Sequence, residues 1–382
     1  HTPADSFETA EVCVLNTCTV THQADKDVEK QIRQILHRNP RARLVLTGCY
    51  AAAHQAHIKA LFPQAEIVGK YNLGRALFNE DDLCWTVSGH EGHSRAFIKI
   101  QDGCDCFCSY CIVPFARPDK RSKPAPDVLK EITALVEKGF AEVVLTGINI
   151  GNYSCPQTGA DLALLCRQIA ALQGHFRVRF SSIELQTVAE GVVDLMAARP
   201  DRFCNYFHLP LQAGCDSVLK AMNRHYDTAA YRARVEDLRA RVEGISIFAD
   251  VIAGFPTETE ADFETTYQFI KSVGLCGLHV FSYSPRPGTK AAAWPQLAPE
   301  EIKRRSDALR ALDKELRSRF AASLVGTEQE LFMEERKNGL LGGVTANFQY
   351  TVLENAPEHL KGLVRAKIVR AEGPVCYGVP AA

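Results

Sequence analysis

The chain has 382 residues, 46% of them hydrophobic and 23% charged, with a formal net charge of -1. This is ordinary globular composition, long enough for two or three separately cored domains. No global field favours a polyanion, so any nucleic-acid binding has to come from a local patch, and no run of about 18 apolar residues is present to span a bilayer.

The first residue is His, and no signal peptide precedes the folded-looking sequence, so the chain reads as starting inside a gene product. Residues 11–15 and 43–47 are short, apolar, β-branched runs, and 23–38 between them carries helical character. This βαβ rhythm predicts a parallel sheet. Asn16-Thr17-Cys18-Thr19-Val20-Thr21 and Thr47-Gly48-Cys49-Tyr50 each follow a strand, and parallel strand ends point the same way, so Cys18 and Cys49 can converge. Two unrelated buried thiols are the equal alternative. If the pair binds a cluster, a third ligand is expected before His1. Cys13, inside a strand, reads as core, and the acidic stretch 80–94 reads as a linker.

Further strands are expected at 95–101, 142–147, 177–183, 204–209, 247–253 and 278–283. Helices are expected between them at 126–138, 160–173, 188–198, 215–223, 228–242 and 259–273. Six strands with repeated crossovers predict an open or closed β/α barrel. Residues 298–321 form a charged helix that reads as a solvated face rather than an RNA site, and 326–382, with turns at Gly339, Gly342, Gly343 and Gly362, reads as a small β-barrel.

The central segment is Gly103-Cys104-Asp105-Cys106-Phe107-Cys108-Ser109-Tyr110-Cys111, directly after a strand. Fourteen Cys in the chain are many, but secreted disulfide frameworks are small and loop-rich, whereas clustered Cys in a large α/β chain bind metal or do chemistry. Zinc usually takes four ligands as two separated pairs, and this sequence has no second close pair. Cys104, Cys108 and Cys111 give C-x3-C-x2-C, which holds three irons of a [4Fe–4S] cluster and leaves the fourth open to chelate the amino and carboxylate groups of S-adenosylmethionine (SAM). Cys106 is surplus.

Strand ends supply the other candidates. Glu184, after Ser181 and Ser182, can accept from ribose hydroxyls or hold a cation. Gln212 is placed to contact SAM or a base, and Thr146 and Asn149 to contact the methionine part of SAM. Asp250 reads equally as a structural carboxylate, and His208, among apolar residues, as a satisfied core histidine.

Taken together, N-T-C-T-V-T at 16–21, T-G-C-Y at 47–50, Q-D-G-C at 101–104, C-S-Y-C at 108–111, L-T-G-I-N at 145–149, S-S-I-E at 181–184, H-L-P-L-Q at 208–212, D-V-I-A-G-F-P at 250–256 and G-G-V-T-A-N-F at 342–348 resemble the methylthiotransferases of the radical SAM superfamily. The wording is nearest the type acting on tRNA threonylcarbamoyladenosine (MtaB type). The resemblance implies an α/β chain of three domains: a flavodoxin-like N-terminal domain truncated at its start (1–80), a radical SAM (β/α) partial barrel (92–322) and a small C-terminal β-barrel of TRAM type (323–382). It implies two [4Fe–4S] clusters, one on Cys104, Cys108 and Cys111 and one with Cys18 and Cys49 among its ligands, and SAM, with Tyr110 near the adenine and Ser182 in the cofactor-binding set. Pro118, Leu185, Cys215 and Thr257 stand where the family usually has Gly, Pro, Ser and Gly.

The implied activity is conversion of N6-threonylcarbamoyladenosine, 3′ of a tRNA anticodon, to its 2-methylthio form. An unactivated aromatic C–H resists acid–base chemistry, hence the radical generator. The rivals are an isopentenyladenosine tRNA or ribosomal-protein methylthiotransferase and, in another class, a zinc-stabilised RNA-binding module without catalysis. Thr19 to Thr21 and the Q-D-G-C lead-in favour the first reading. The implied partners are tRNA, whose loop presents splayed bases, and a flavodoxin- or ferredoxin-like reductant; the expected setting is cytoplasmic, without membrane, as a monomer.

Overall fold

The structure is a computed structural model that describes residues 4–19, 21–79, 95–334, 341–354, 356–357 and 360–381. Val20, the stretch 80–94 read as a linker, and Gly339 lie outside the described residues. The chain divides into two compact units, one drawn from the segments 1–85, 103–120 and 284–294, the other from 86–102, 121–283 and 295–382. Among the described residues no helix is long and apolar enough to cross a membrane.

The first unit carries the expected βαβ rhythm. Strands β1 (Val12–Thr17), β2 (Arg43–Gly48) and β3 (Glu66–Ile67) form a parallel sheet in that order. The helix His22–Arg38 starts where extended Thr21 accepts a hydrogen bond from the Ala24 amide. Asp25 in its first turn and His37 and Arg38 in its last suit the helix dipole. Val28 and Ile32, one turn apart, bury the same face against Leu44, Leu46 and Ile58. Segment 284–294 is tied in by Arg286, whose buried guanidinium donates to Thr19 O at 3.1 Å and to Asp25 Oδ2 at 2.7 Å.

In the second unit β4 (Ala96–Lys99) leads into β5 (Gln101–Asp102), which pairs antiparallel with β6 (Arg121–Ser122). Strands β7 (Glu142–Thr146), β8 (Arg177–Phe180), β9 (Tyr206–His208), β10 (Ser246–Ala253) and β11 (Gly277–Ser282) follow, each after a crossover. The parallel sheets β4-β7-β8 and β9-β10-β11 are joined by a parallel bridge at Val178 and Phe203. No ladder among the described residues joins β4 to β11, so of the two expected forms the barrel is the open one.

Alternation along these strands separates two faces. Ile98, Leu145, Val178, Phe207, Ala249 and Leu278 belong to the apolar core. The alternate positions (Glu142, Arg177, Arg179, His208, Asp250 and His279) carry charged and ionisable side chains on the inner face. Buried parallel strands usually read as continuous apolar runs; here one face is a polar lumen.

After the helix Pro299–Ser323, strands β12 (Glu328–Met333), β13 (Gly342–Thr345), β14 (Tyr350–Leu353), β15 (Leu363–Glu372) and β16 (Val375–Pro380) close a barrel in the order β12-β13-β14-β16-β15. Of the charged helix, read as a solvated face, Lys303 pairs with Asp307 and Arg317 with Asp313 at i,i+4, but Arg305 is buried and reaches Glu258 at 2.7 Å, beside a buried apolar face of Leu309, Leu312 and Leu316. The closed barrel has a second use. Its turn after β13 puts the Ala346 carbonyl 3.0 Å from Arg179 Nη1 and the Asn347 carbonyl 2.6 Å from Ser246 Oγ. Residues Gly342–Phe348 thereby plug the amino end of the lumen.

Candidate functional site

In the first unit the register pairs Thr17 with Gly48, so Cys18 and Cys49 begin side by side at the carboxyl ends of β1 and β2. Gly48 is required there: its φ is +95°, and a Cβ would lie 2.4 Å from Thr17 O. Thr17 Oγ1 donates to Thr47 O at 2.6 Å and accepts from the Ala51 amide at 3.0 Å, fixing the turn. Arg117 Nε lies 3.0 Å from Cys49 Sγ and donates to it, which fixes the sulfur's position at the strand end. Cys18 is exposed and Cys49 half-buried.

The central loop belongs to the same unit. Cys104, Cys106, Cys108 and Cys111 are of intermediate exposure. Gly103, at φ +80°, starts the loop where a Cβ would meet Asp119 O at 2.2 Å. Phe107, at φ +45°, reverses it, and a tight turn closes from the Cys111 amide to Cys108 O at 2.9 Å. The Cys106 amide donates to Cys104 Sγ at 3.5 Å. Phe107 is half-exposed and meets Phe115 edge-on at 5.9 Å. Ser109 is buried and its carbonyl accepts from Ala291; Tyr110 is half-buried.

The other candidates lie in the second unit, at the carboxyl ends of its strands. Thr146 ends β7. Asn149 is buried; its amide donates to Gln101 Oε1 at 2.8 Å and its Oδ1 accepts from Thr187, but its Nδ2 has no partner. The hydroxyl of Ser181 is likewise buried without a partner. These two orphaned polar atoms follow adjacent, paired strands, and each needs an external partner. Gln212 is buried with φ +68°, its amide bonded to Asp250 O at 2.8 Å. Glu184 is not a free acceptor: Arg224 grips both its oxygens while stacking over the Tyr226 ring at 4.9 Å.

Below these ends lies a cavity of about 360 Å³ inside the lumen, lined by Arg95, Phe97, Arg179, Ser182, Tyr206 and Phe348, with His208, Asp250 and His279 on its wall. Its floor is an ion network. Glu142, fully buried, receives Arg177 at 2.7 Å, Arg179 at 3.0 Å and Arg95 at 3.3 Å. Burial would raise its pKa, but the Arg179 and Arg177 guanidiniums outweigh that and hold it at about 2. Phe348 of the plug sits 4.7 Å from the Tyr206 ring and 5.1 Å from the Arg179 guanidinium. On the wall, Asp250 Oδ1 lies 2.8 Å from His208 Nε2 and 3.4 Å from His279 Nδ1. Burial raises its pKa as well, and the two imidazoles bring it down to about 2.

His208 is therefore buried, as expected, but it faces the cavity and its Nε2 makes no aligned hydrogen bond, unlike a satisfied core histidine. Sequence reading passed over Arg95, Arg117, Glu142, Arg179 and His279. The available signal for the last three was period two: ionisable residues at alternate positions of strands that are otherwise apolar.

The comparisons with known proteins agree with this layout. A family model described as "Radical SAM superfamily" matches residues 98–270, and one described as "Uncharacterized protein family UPF0004" matches residues 1–69. The chain is 34% identical to the threonylcarbamoyladenosine tRNA methylthiotransferase MtaB of Bacillus subtilis over 98% of this chain and 89% of that one. It is 32% identical to the tRNA-2-methylthio-N(6)-dimethylallyladenosine synthase of Endomicrobium trichonymphae, over 98% and 92%. Among solved structures it is similar in fold to the radical SAM methyltransferase TsrM from Kitasatospora setae, with TM-score 0.57 at 15% identity, covering 75% of this chain and 67% of that one.

Proposed function

Because the chain belongs to the tRNA methylthiotransferases of the radical SAM superfamily, we propose that its substrate is N6-threonylcarbamoyladenosine 3′ of a tRNA anticodon, which it converts to the 2-methylthio derivative. The observation that carries the choice of base is the lumen. Arg95 and Arg179 line the cavity with guanidiniums, and Ser182 and Tyr206 with hydroxyls, suited to an N6 substituent bearing a carboxylate, a hydroxyl and a urea. A dimethylallyl group offers none of these to the ionisable cavity wall.

Cys104, Cys108 and Cys111 would hold the cluster that binds SAM, and Cys18 and Cys49 two positions of the second [4Fe–4S] cluster. Partly exposed cysteines on a pre-bent loop in one case, and a glycine-set strand-end pair backed by Arg117 in the other, fit a soft metal centre. The bound groups supply reductive cleavage of SAM and the methylated sulfur that replaces hydrogen at C2 of the adenine. The protein supplies orientation. Asn149 Nδ2 and the Ser181 hydroxyl are unpaired donors for SAM polar groups, with Thr146 and Ser182 near them in sequence and Gln212 following β9. Tyr110 offers a ring edge for the adenine. Arg224 fixes the Glu184 carboxylate in one rotamer, leaving its remaining lone pairs for a ribose hydroxyl.

The work divides among a methylthiotransferase N-terminal module (1–80), the radical SAM core (92–322) and the TRAM-like barrel (323–382). The chain acts in the cytoplasm as a monomer, with tRNA as substrate and a flavodoxin- or ferredoxin-like protein as electron source. Mass spectrometry of tRNA nucleosides from a deletion strain tests the substrate. Loss of the 2-methylthio-threonylcarbamoyl nucleoside is expected; loss of only the dimethylallyl product would overturn the assignment.

A further inference from the structure

His208, Asp250 and His279 occupy three neighbouring strands. Asp250 is paired in register with His279 across β10 and β11, and His208 ends β9 on the other side of β10. One ligand atom from each lies within 4.8 Å of the other two. Two of the separations are known: 2.8 Å from His208 Nε2 and 3.4 Å from His279 Nδ1, both to the same oxygen, Asp250 Oδ1. Ligands about 2.0–2.2 Å from a common ion, at angles between octahedral and tetrahedral, stand roughly 2.9–3.5 Å apart. A hydrogen-bonded trio would account for the same distances only if the bonds were aligned. His208 Nε2, in a residue 94% buried (6% exposed), makes no aligned bond to any group among the described residues.

The surrounding guanidinium network leaves Asp250 to its two imidazoles. The three guanidiniums on the lumen floor, Arg95, Arg177 and Arg179, are matched by the carboxylates of Glu142, Glu334 and Glu330. The Asp250 carboxylate is paired with neither set; its ionic neighbours are the two imidazoles. The trio opens onto the 360 Å³ cavity, which has room for water or an oxygen ligand in the remaining coordination positions.

We infer that His208, Asp250 and His279 form a facial three-ligand site for a first-row divalent transition-metal cation, its open positions turned to the lumen. Two imidazoles and one carboxylate suit iron(II), manganese(II) or zinc(II). Mounting on three hydrogen-bonded strands fixes the ligands before the ion arrives. The site uses none of the cysteine ligands and does not depend on which adenosine is the substrate.

The test is a titration of the anaerobically reconstituted holoenzyme with Mn2+, followed by the loss of the free-ion electron paramagnetic resonance signal. Manganese is chosen because imidazole and carboxylate bind it while thiolate competes poorly. The expected result is one Mn2+ per chain with nitrogen couplings in pulsed spectra. His279→Phe and Asp250→Asn, with iron content as the control for folding, should each weaken binding by at least about tenfold. The His279 side chain is 43% exposed, so its replacement leaves the core intact. No uptake up to millimolar Mn2+, uptake without nitrogen coupling, or equal uptake by both variants would overturn the site.

Discussion

The thiols of the first unit and the ionisable groups of the second unit's lumen are held by different kinds of backbone. Cys18, Cys104, Cys108 and Cys111 lie on loops after strands and Cys49 opens the short helix Cys49–Ala53 directly after β2, all of them exposed or half-exposed. Glu142, Arg177, Arg179, His208 and Asp250 lie within strands, and all but Asp250 are almost fully buried. A loop thiol gains its final position from the metal it binds, because metal–sulfur bonds are strong enough to order a short segment. An ion network on strands is set by the sheet and contributes to folding whether or not anything is bound. Losing a thiol should therefore remove activity while leaving the fold, and losing a network charge should do the reverse.

The sharpest break of that contrast is Cys108→Ala. It should abolish 2-methylthio product and SAM cleavage, lowering iron from about eight to about four per chain, with the unfolding midpoint of the cluster-free protein unchanged. Next comes Glu142→Gln, which leaves Arg177 and Arg179 buried without their counter-charge. Chemical denaturation should show a loss of about 3–5 kcal/mol, and the Thr345–Phe348 plug should become accessible to hydrogen exchange.

The same carboxylate predicts a pH dependence. Its pKa is lowered from 4.5 to about 2 on folding, so its contribution is complete above the unfolded value and is lost as pH falls through the folded one. Amide exchange at 345–349 should accelerate between about pH 4.5 and 2, and Glu142→Gln should lack that step. Gly48→Ala tests the first unit where the backbone itself is constrained. The left-handed conformation alone costs about 1–2 kcal/mol for a residue with a Cβ, and the contact with Thr17 O adds to it. Both thermal stability and iron at the Cys18–Cys49 pair should fall. The smallest effect is expected at an exposed pair away from both regions: Lys303→Ala, which removes the Asp307 contact, should change stability by less than about 1 kcal/mol.

Much of the fold was legible in the order of residues because its signals are local. The expected strand at 142–147 is found at 142–146, and the expected helix at 228–242 at 228–241. The cysteine loop was legible for the same reason: four thiols in eight residues need no partner from elsewhere to be noticed. Glu184 shows the limit. Its position after β8 was clear, but its engagement by Arg224, forty residues on, was not. His208 was assigned by its apolar flanks, which describe the outer face of β9; the cavity lies on the inner one. The motif Gly342–Phe348 was recognisable as a string, yet its role as a plug depends on Arg177, Arg179 and Ser246, whose side chains bond its carbonyls.

Sequence alone determined the chemistry that sits within a few residues, namely the soft-ligand loop, the paired strand-end thiols and the βα alternation. Periodicity and ligand spacing are properties of neighbours along the chain. Only the tertiary structure decided which ionisable residues share the lumen, that Arg117 backs Cys49, and that a turn of the terminal barrel closes the lumen floor. Burial and charge pairing depend on distances in space, and residues such as Arg179 and Ala346 come within hydrogen-bonding reach only when the second unit is assembled.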